Sequence, residues 1–392
     1  PFLHKDNDMR HNIFNLTLVF IMISLFAKSF GNDFTDSNNF FLNGSVEKCT
    51  IITLRYLNFE NKTVVDTCAA IQGTFFFAGK INGTSKSILS IYNKGEQSSI
   101  GEFEFFLSEA TINVVAKNPY HSIYISGSET NDESDELNKL LKVNDEKILL
   151  VDKEIKQITD SHTENPKLKM LVNLLDSLQH QKTLLRKKFA NEHPHSFLSP
   201  DIISLLFNRR EIDYEESNTL FLGLSERVRH SLYGVTLSEQ LKIFESAMVG
   251  KSAPLFSKID INGKEITLSE FKDKSYVLLN YWASYCAPCK EHIPHLKNLY
   301  KRYKKKGLEI IAISWDFDAK KCLQSIQRDS TYLWINIHGL SNKNDKDPFL
   351  TSYSIPFIPV YILIDRNGII AGRYEDGNLE RLESTLKRFL DK

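Results

Sequence analysis

Two cysteines, Cys286 and Cys289, are separated by two residues in the stretch NYWASYCAPCKEHIP, residues 280–294. An apolar run precedes the pair and a run typical of a helix follows it. Cysteines at this spacing can bind a metal, attach a haem, form an inert disulfide or exchange a disulfide with another thiol pair. The residues around the pair distinguish among these chemistries.

Metal and haem binding both lack the ligands they need. A structural zinc site uses four ligands, usually from two such pairs, and the sequence contains no second CxxC. The nearest histidines, His292 and His295, fall on the same predicted helix as the pair. Attachment of a c-type haem needs a histidine directly after the second cysteine, where this chain has Lys290. We therefore expect no metal and no other cofactor.

The pair lies where a predicted strand gives way to a predicted helix. Cys286 would begin the helix, where unpaired N–H groups and the positive end of the helix dipole favour an anion. Pro288 suits the first helical turn, because no N–H is needed there. Cys289 would lie one turn further in, within disulfide reach and less exposed. Since the thiolate is the attacking species, we expect Cys286 to attack a partner disulfide and Cys289 to resolve the mixed disulfide.

A proline close to a second strand supports this interpretation. The stretch YSIPFIPVYILID places Pro359 directly before an apolar strand, a position where a missing N–H is tolerated and a cis peptide bond can occur. Pro356 is a competing candidate for a cis bond, but only Pro359 abuts the strand.

The elements around these residues alternate between strand and helix, which predicts an α/β domain over residues 251–392. A hairpin is predicted around Asn262-Gly263, followed by a buried central strand in SYVLLNYW. The remaining predictions are a helix from Cys286 to Lys305, strands at 308–314, 334–337, 360–365 and 368–374, and helices at 319–328 and 379–390.

The upstream half differs from this domain in composition and in the spacing of its apolar residues. Residues 32–127 contain short runs rich in β-branched and aromatic residues between Asn-Gly turns, which predicts a small antiparallel sandwich or barrel. In that region Cys49 and Cys68 could pair across neighbouring strands or could each be a buried core residue. Residues 128–250 show leucines at helical spacing, interrupted at HTENP, which predicts two long antiparallel helices followed by shorter ones.

The first residues predict export. From Met9 a short basic segment, an apolar run at 13–26 and small residues up to Gly31 match a secretory signal peptide at 9–31, with an uncleaved anchor as the alternative. No cysteine lies at the cleavage region, so a lipoprotein is not expected. With 49 basic and 49 acidic residues the net charge is zero, and nothing favours nucleic acid as a partner. We expect a periplasmic protein in an oxidising compartment.

Residues 251–392 resemble the TlpA/ResA-like family of thioredoxin-fold proteins. The resemblance is carried by SAPLF at 252–256, NYWASYCAPCK at 280–290, Pro294, IAIS at 311–314 and IPVYILIDRNG at 358–368. It implies an α/β thioredoxin fold at the C-terminus, here preceded by a small antiparallel β domain and an α-helical region. It also implies an exported thiol–disulfide oxidoreductase.

The resemblance assigns roles to individual residues. Cys286 would be the nucleophile and Cys289 the resolving thiol, with Pro359 as a cis-proline facing the pair. Ile358 and Trp282 would line the substrate groove. The partners implied are thiols and disulfides of exported proteins, with a membrane thiol electron donor that keeps the enzyme reduced.

Four features bear on the tuning of the pair. The dipeptide Ala287-Pro288 replaces the usual Gly-Pro, and Asn280 replaces a buried aspartate that can take a proton in thioredoxin itself. His292 stands where the family commonly has glutamate; it could favour the thiolate if protonated, or simply face solvent. Asp316 follows a strand end, where it could accept a proton or cap a helix.

The sequence therefore predicts a periplasmic thiol–disulfide oxidoreductase, with reduction as the favoured direction. Disulfide donation by the same fold stays open, because direction depends on relative redox potentials. A peroxidase of the peroxiredoxin type would need Thr or Ser three residues before its reactive cysteine, where this chain has Ala283. A binding or scaffold protein, with the N-terminal half in the main role, is a further alternative.

Overall fold

A computed structural model describes residues 39–47, 50–93, 95–117, 123–160, 166–339, 351–375 and 377–391. The predicted signal segment, residues 9–31, and Cys49 lie outside these residues. Within the described ranges, no helix combines the length and the apolar character needed to cross a membrane.

The N-terminal strands form two four-stranded sheets with the orders β4-β1-β7-β8 and β3-β2-β5-β6. Neighbouring strands are antiparallel except β1 and β7, which run parallel. The strands are β1 (Asn39–Val46), β2 (Thr50–Leu57), β3 (Thr63–Ala69), β4 (Thr74–Lys80), β5 (Thr84–Asn93), β6 (Gly101–Ser108), β7 (Thr111–Ala116) and β8 (Ile123–Ser126).

A shared apolar core holds the two sheets together. Phe40 and Leu42 of β1 pack in the same cluster as Ile52 and Leu54 of β2, and all four side chains are fully buried. The two residues of each pair have one residue between them, because alternate strand residues point to the same face. The two sheets therefore form the sandwich that the sequence predicts.

Two long helices follow, α1 (Glu129–Asp160) and α2 (Pro166–Glu192). They pack through Val151, Leu171 and Leu178, which confirms the predicted helical hairpin. The Asn131 side chain fastens the start of α1 to β6, since its amide donates to the Phe106 carbonyl at 2.7 Å and accepts from the Phe106 N–H at 2.9 Å.

Shorter helices connect the hairpin to the C-terminal region: α3 (Ser199–Asn208), α4 (Tyr214–Gly223), α5 (Glu226–Arg229) and α6 (Leu232–Ser246). The chain divides into two compact units. One contains the described residues up to Ile202 together with Leu224–Val235, and the other contains Ile203–Gly223 and Thr236–Lys392. The residues predicted as one helical region, 128–250, are thus shared between the two units.

The second unit is built on a five-stranded sheet with the order β13-β12-β11-β14-β15. Strands β11, β12 and β13 are parallel, and β14 and β15 are antiparallel to their neighbours. The elements are a hairpin of β9 (Ser257–Ile259) and β10 (Glu265–Thr267), then β11 (Tyr276–Trp282), α7 (Ala287–Tyr303), β12 (Leu308–Ser314), α8 (Ala319–Arg328), β13 (Ile335–His338), β14 (Val360–Ile364), β15 (Ile370–Tyr374) and α9 (Leu379–Leu390).

The central strand β11 is buried on both faces. Leu278 and Trp282 belong to one apolar cluster, and Leu279 and Tyr281 belong to the other. Because successive side chains of a strand point to opposite faces, a nearly continuous apolar sequence is what this position requires. The predicted central strand and the alternating strands and helices around it are confirmed.

A partly buried ion cluster holds α3 against the edge of this sheet. Arg210, just after α3, forms an ion pair with Glu375, and Arg373 of β15 donates to the same carboxylate at 2.7 Å. Arg373 also donates to the carbonyls of Tyr353 and Ser354, both at 2.8 Å. The cluster therefore fixes the segment that leads into β14. Burial alone would raise the pKa of Glu375, but the hydrogen bond from Arg210 and the charge of Arg373 lower it overall.

Replacing Glu375 with glutamine should destabilise the protein by about 2–4 kcal/mol at pH 7, because it leaves two arginines in the cluster without their carboxylate. The stabilisation should be present above the ordinary glutamate pKa and should be lost as the pH falls through the lowered folded value. Urea unfolding of wild type and Glu375→Gln across this range measures both effects. The exposed Glu380→Gln serves as control and should change stability by less than about 0.5 kcal/mol; an equal effect of both substitutions would contradict the prediction.

Candidate active site

The two cysteines of the CxxC stretch are joined as a disulfide at the start of α7, with their Cα atoms 5.3 Å apart. Cys286 is the N-cap of the helix, and its sulfur accepts a hydrogen bond from the Cys289 N–H at 3.2 Å. Pro288 occupies the first helical turn. Cys286 is 7% exposed and Cys289 is 3% exposed. The helix N-terminus and the more deeply buried second cysteine were both predicted from the sequence.

A buried carboxylate fixes the turn between β11 and α7. Asp316 is 2% exposed. It accepts the Ser284 N–H at 2.9 Å and the Ser284 hydroxyl at 2.5 Å, two residues before Cys286. A third donor is the Ser314 hydroxyl, at 2.7 Å. The Asp316 carboxylate is therefore hydrogen-bonded by neutral donors. Through these bonds Asp316 positions the turn that leads to Cys286.

This arrangement corrects one of the two roles considered for Asp316. The residue that caps α8 is Asp318, whose side chain accepts from the N–H groups of Lys320 and Lys321. Asp316 instead points back to the turn before the cysteines. The helix-capping interpretation of Asp316 is wrong because α8 begins at Ala319, so that Asp318 occupies the N-cap position.

His292 lies on α7 with its Nδ1 2.8 Å from the Tyr361 hydroxyl. Burial lowers the pKa of His292, Glu291 raises it in part, and His295 lowers it further. Burial also raises the pKa of Tyr361, so the phenol keeps its proton and can donate it to a neutral imidazole. The solvent-facing interpretation of His292 is therefore incomplete, and a protonated His292 beside the thiolate is not favoured.

Asn280 and Trp282 lie at the end of β11, on the side of the sheet that faces Cys289. They are 6% and 5% exposed, and both line a small cavity together with Cys289. Trp282 thus packs in the core next to the disulfide, and little of its surface is available to a partner.

The strand β14 is preceded by a cis peptide bond between Ile358 and Pro359, as the sequence indicates. Ile358 is partly exposed and packs against the apolar clusters on both faces of the sheet. The competing candidate, Pro356, does not have a cis bond.

Some residues near the disulfide were not singled out from the sequence. Tyr285 is 63% exposed and directly precedes Cys286, and Phe317 is 49% exposed and directly follows Asp316. Tyr285 stands inside the quoted motif and could have been noticed there. Ser284 as the partner of Asp316 had no local signal, since the two residues are 32 positions apart.

Two further cysteines lie in the described part of the chain. Cys322 is buried on α8, as predicted, and burial raises the pKa of its thiol. Cys68 is a free, partly buried thiol. Among the described residues, no group of three or more His, Cys, Asp or Glu side chains is placed to hold a metal ion.

Comparison with known proteins agrees with this geometry. Residues 249–373 match the AhpC/TSA family, and residues 40–134 match a domain family of unknown function, DUF4369. Over 175 residues the chain is 31% identical to a thiol-disulfide oxidoreductase ResA of Bacillus thuringiensis strain Al Hakam, covering 43% of this chain and 92% of that protein. The chain belongs to the TlpA/ResA-like family of thiol–disulfide oxidoreductases.

Two further proteins are similar to parts of this chain. A ResA of Bacillus subtilis strain 168 is 46% identical over 70 residues, covering 18% of this chain and 38% of that protein. The crystal structure of the thioredoxin domain of a thiol-disulfide oxidoreductase from Bacteroides vulgatus is 31% identical, covers 36% of this chain and 98% of that one, and has a TM-score of 0.33. As a member of the family that the ResA match shows, the chain is a thiol–disulfide oxidoreductase, and its C-terminal domain, with the strand order β13-β12-β11-β14-β15, is a thioredoxin fold.

Replacing Asp316 with asparagine should loosen the turn before Cys286. The amide places an N–H group against donors of Ser284 or Ser314, so we expect a loss of about 1–3 kcal/mol in the free energy of unfolding and slower disulfide exchange. Urea unfolding and an insulin-reduction assay measure the two effects. Asp318→Ala is the control: loss of a helix cap costs about 1 kcal/mol without touching the turn, so exchange should be unchanged. Loss of exchange in both variants would refute a specific positioning role.

The lowered pKa of His292 predicts a dependence of stability on pH. The unfolded chain gains a proton near the ordinary histidine pKa, about 6.5, whereas the folded protein resists it. The free energy of unfolding should therefore fall as the pH drops from about 6.5 to the lower folded pKa, where the loss is complete. His292→Gln should show a smaller fall in urea unfolding between pH 7.5 and pH 5. The control His180→Gln, on an exposed face of α2, should behave as wild type; equal slopes in wild type and His292→Gln would contradict the assignment.

Proposed function

We propose that this protein is a periplasmic reductase of disulfides in exported proteins, with Cys286 as the nucleophile and Cys289 as the resolving thiol. The observation that supports it most is the position of Cys286 as the N-cap of α7, with the Cys289 N–H donating to its sulfur at 3.2 Å. Both the N–H groups of the first turn and the helix dipole stabilise a thiolate there.

The reaction proceeds in two exchanges. The Cys286 thiolate attacks one sulfur of a partner disulfide, which breaks that bond and releases the other partner sulfur as a thiolate. Cys289 then attacks Cys286, forms the internal disulfide and releases the partner in reduced form. A membrane thiol donor returns two electrons to the Cys286–Cys289 disulfide and completes the cycle.

The surface around the disulfide suits a protein partner. The sulfur of Cys286 is largely buried, so a partner disulfide has to approach closely. The exposed ring of Tyr285 and the partly exposed Ile358 offer apolar contact, whereas Trp282 is buried. Support for a periplasmic location comes from the signal-like pattern at residues 9–31.

The redox potential of the Cys286–Cys289 pair tests the direction. We expect a value near that of thioredoxin, about −270 mV, for a reductase, whereas a value near −120 mV, as in DsbA, would make the protein a disulfide donor. The measurement uses the purified protein in dithiothreitol buffers, with Cys322→Ala as a control that should leave the potential unchanged.

Two cysteine variants test the roles of the pair through the mixed disulfides that they form with a partner. Cys289→Ser should accumulate a mixed disulfide with a partner, and Cys286→Ser should form none, because only Cys286 starts the exchange. The reverse pattern would overturn the assignment. Rapid turnover of hydrogen peroxide with no reduction of a protein disulfide would instead favour the peroxidase alternative. The absence of a reversible two-electron transition would direct attention to the N-terminal half.

A further inference from the structure

A small cavity lies directly behind Cys289 in the unit that contains the disulfide. Its polar lining comes from Asn280, Trp282, Thr331 and Trp334, and its volume of about 10 Å³ is close to the space one water molecule needs. Cys289 forms the wall toward the disulfide.

Three of the side chains around this cavity carry a buried polar atom that no group in the described part of the chain hydrogen-bonds. These atoms are the indole nitrogens of Trp282 and Trp334 and the hydroxyl of Thr331. The three residues are 3% to 5% exposed. Buried polar atoms in native proteins nearly always bond to protein or to an internal water. Three such atoms around one cavity therefore indicate a site for a polar ligand of that size.

The loop that supplies Thr331 and Trp334 is held in place. The Asn336 side-chain amide donates to both of their carbonyls, each at 2.9 Å. The Trp334 ring also packs edge-on against Tyr300 of α7. These contacts keep the two side chains at the cavity, so the site is part of the fold.

The hydrogen-bond capacities of the lining groups fit one water. An indole N–H can only donate, whereas a hydroxyl can accept or donate. A water that accepts from Trp282 and Trp334 keeps both of its hydrogens to donate, one to the Thr331 hydroxyl and one to the sulfur of Cys289. The rest of the lining is Asn280, Ile293 and Ala312, so Cys289 is the one titratable residue in it.

We propose that this cavity is an internal water site that donates a hydrogen bond to Cys289 and stabilises its thiolate. The inference rests on the proposed function, since the thiolate matters when the mixed disulfide is resolved. In that step the Cys289 thiolate attacks the sulfur of Cys286, and the bond from Cys286 to the partner sulfur breaks. The partner leaves as a thiolate and takes up the proton that Cys289 released. The water is not consumed.

The proposal is consistent with an asparagine at position 280. An amide cannot take the proton of Cys289, so Asn280 does not serve as its base. A neutral hydrogen-bond donor lowers the cost of a buried thiolate without adding a second negative charge beside it. Thr331 acts through the water and is a positioning residue.

The test compares Thr331→Val with Thr331→Ser in the full chain. Valine keeps the shape but removes the acceptor for the water, and serine keeps the hydroxyl. We expect Thr331→Val to raise the pKa of Cys289 in the reduced protein by about one unit, measured by NMR titration of its Cβ. Resolution of the mixed disulfide formed with glutathione disulfide should become about tenfold slower at pH 7, while its formation at Cys286 stays unchanged. Thr331→Ser should remain near wild type.

Three outcomes would count against the proposal. Equal loss in both variants would show a packing effect, and wild-type resolution in Thr331→Val would show that the site has no role. A high-resolution crystal structure of the reduced protein without a water between Thr331 and Cys289 would remove its basis. If the wild-type protein exchanges no disulfide at all, the proposed function fails first, and the role of the water fails with it. Normal wild-type exchange with an unaffected Thr331→Val overturns the water site alone.

Discussion

The complete burial of strand β11 determines where this protein can carry out chemistry. Its side chains divide between two apolar clusters, with Trp282 in one and Tyr281 in the other. The strand can leave this core only at its end, and Cys286 begins α7 four residues beyond Trp282. Burial of apolar surface therefore holds the N-terminus of a helix, with its unpaired N–H groups, at a fixed place beside the sheet.

That placement has a cost, because polar groups must function in a region of low water content. In this structure, neutral hydrogen-bond partners mainly compensate for the lost contact with water. Asp316 is held by the hydroxyls and N–H of two serines, and His292 is paired with a phenol. Full charges with opposite partners are instead collected further away, at Glu375 and the two arginines around it. Close to the sulfurs, the N–H groups and the dipole at the start of α7 favour a thiolate at Cys286.

The local features of the site were predictable from the sequence, and the long-range ones were not. The periodicity of apolar residues gives β12 (Leu308–Ser314) and α8 (Ala319–Arg328) with their observed bounds, and the position of Pro359 before a strand indicates its cis bond. Ser284, a partner of Asp316, lies 32 residues away from it, and Arg210, a partner of Glu375, lies 165 residues away. Such contacts form only when the chain folds, so the spacing of residues in the sequence does not predict them. The parallel pairing of β1 with β7 escapes a local pattern for the same reason.

The chain passes between its two compact units more than once, and this connectivity affects how the protein can be divided. The boundaries fall after Ile202, after Gly223 and after Val235, so the second unit contains two separate lengths of chain. Arg210, in the first of these lengths, is bonded to Glu375 in the second. A single proteolytic cut or a single genetic crossover cannot release either unit whole. Residues 203–223 therefore have to accompany residues 236–392 if the second unit is to be complete.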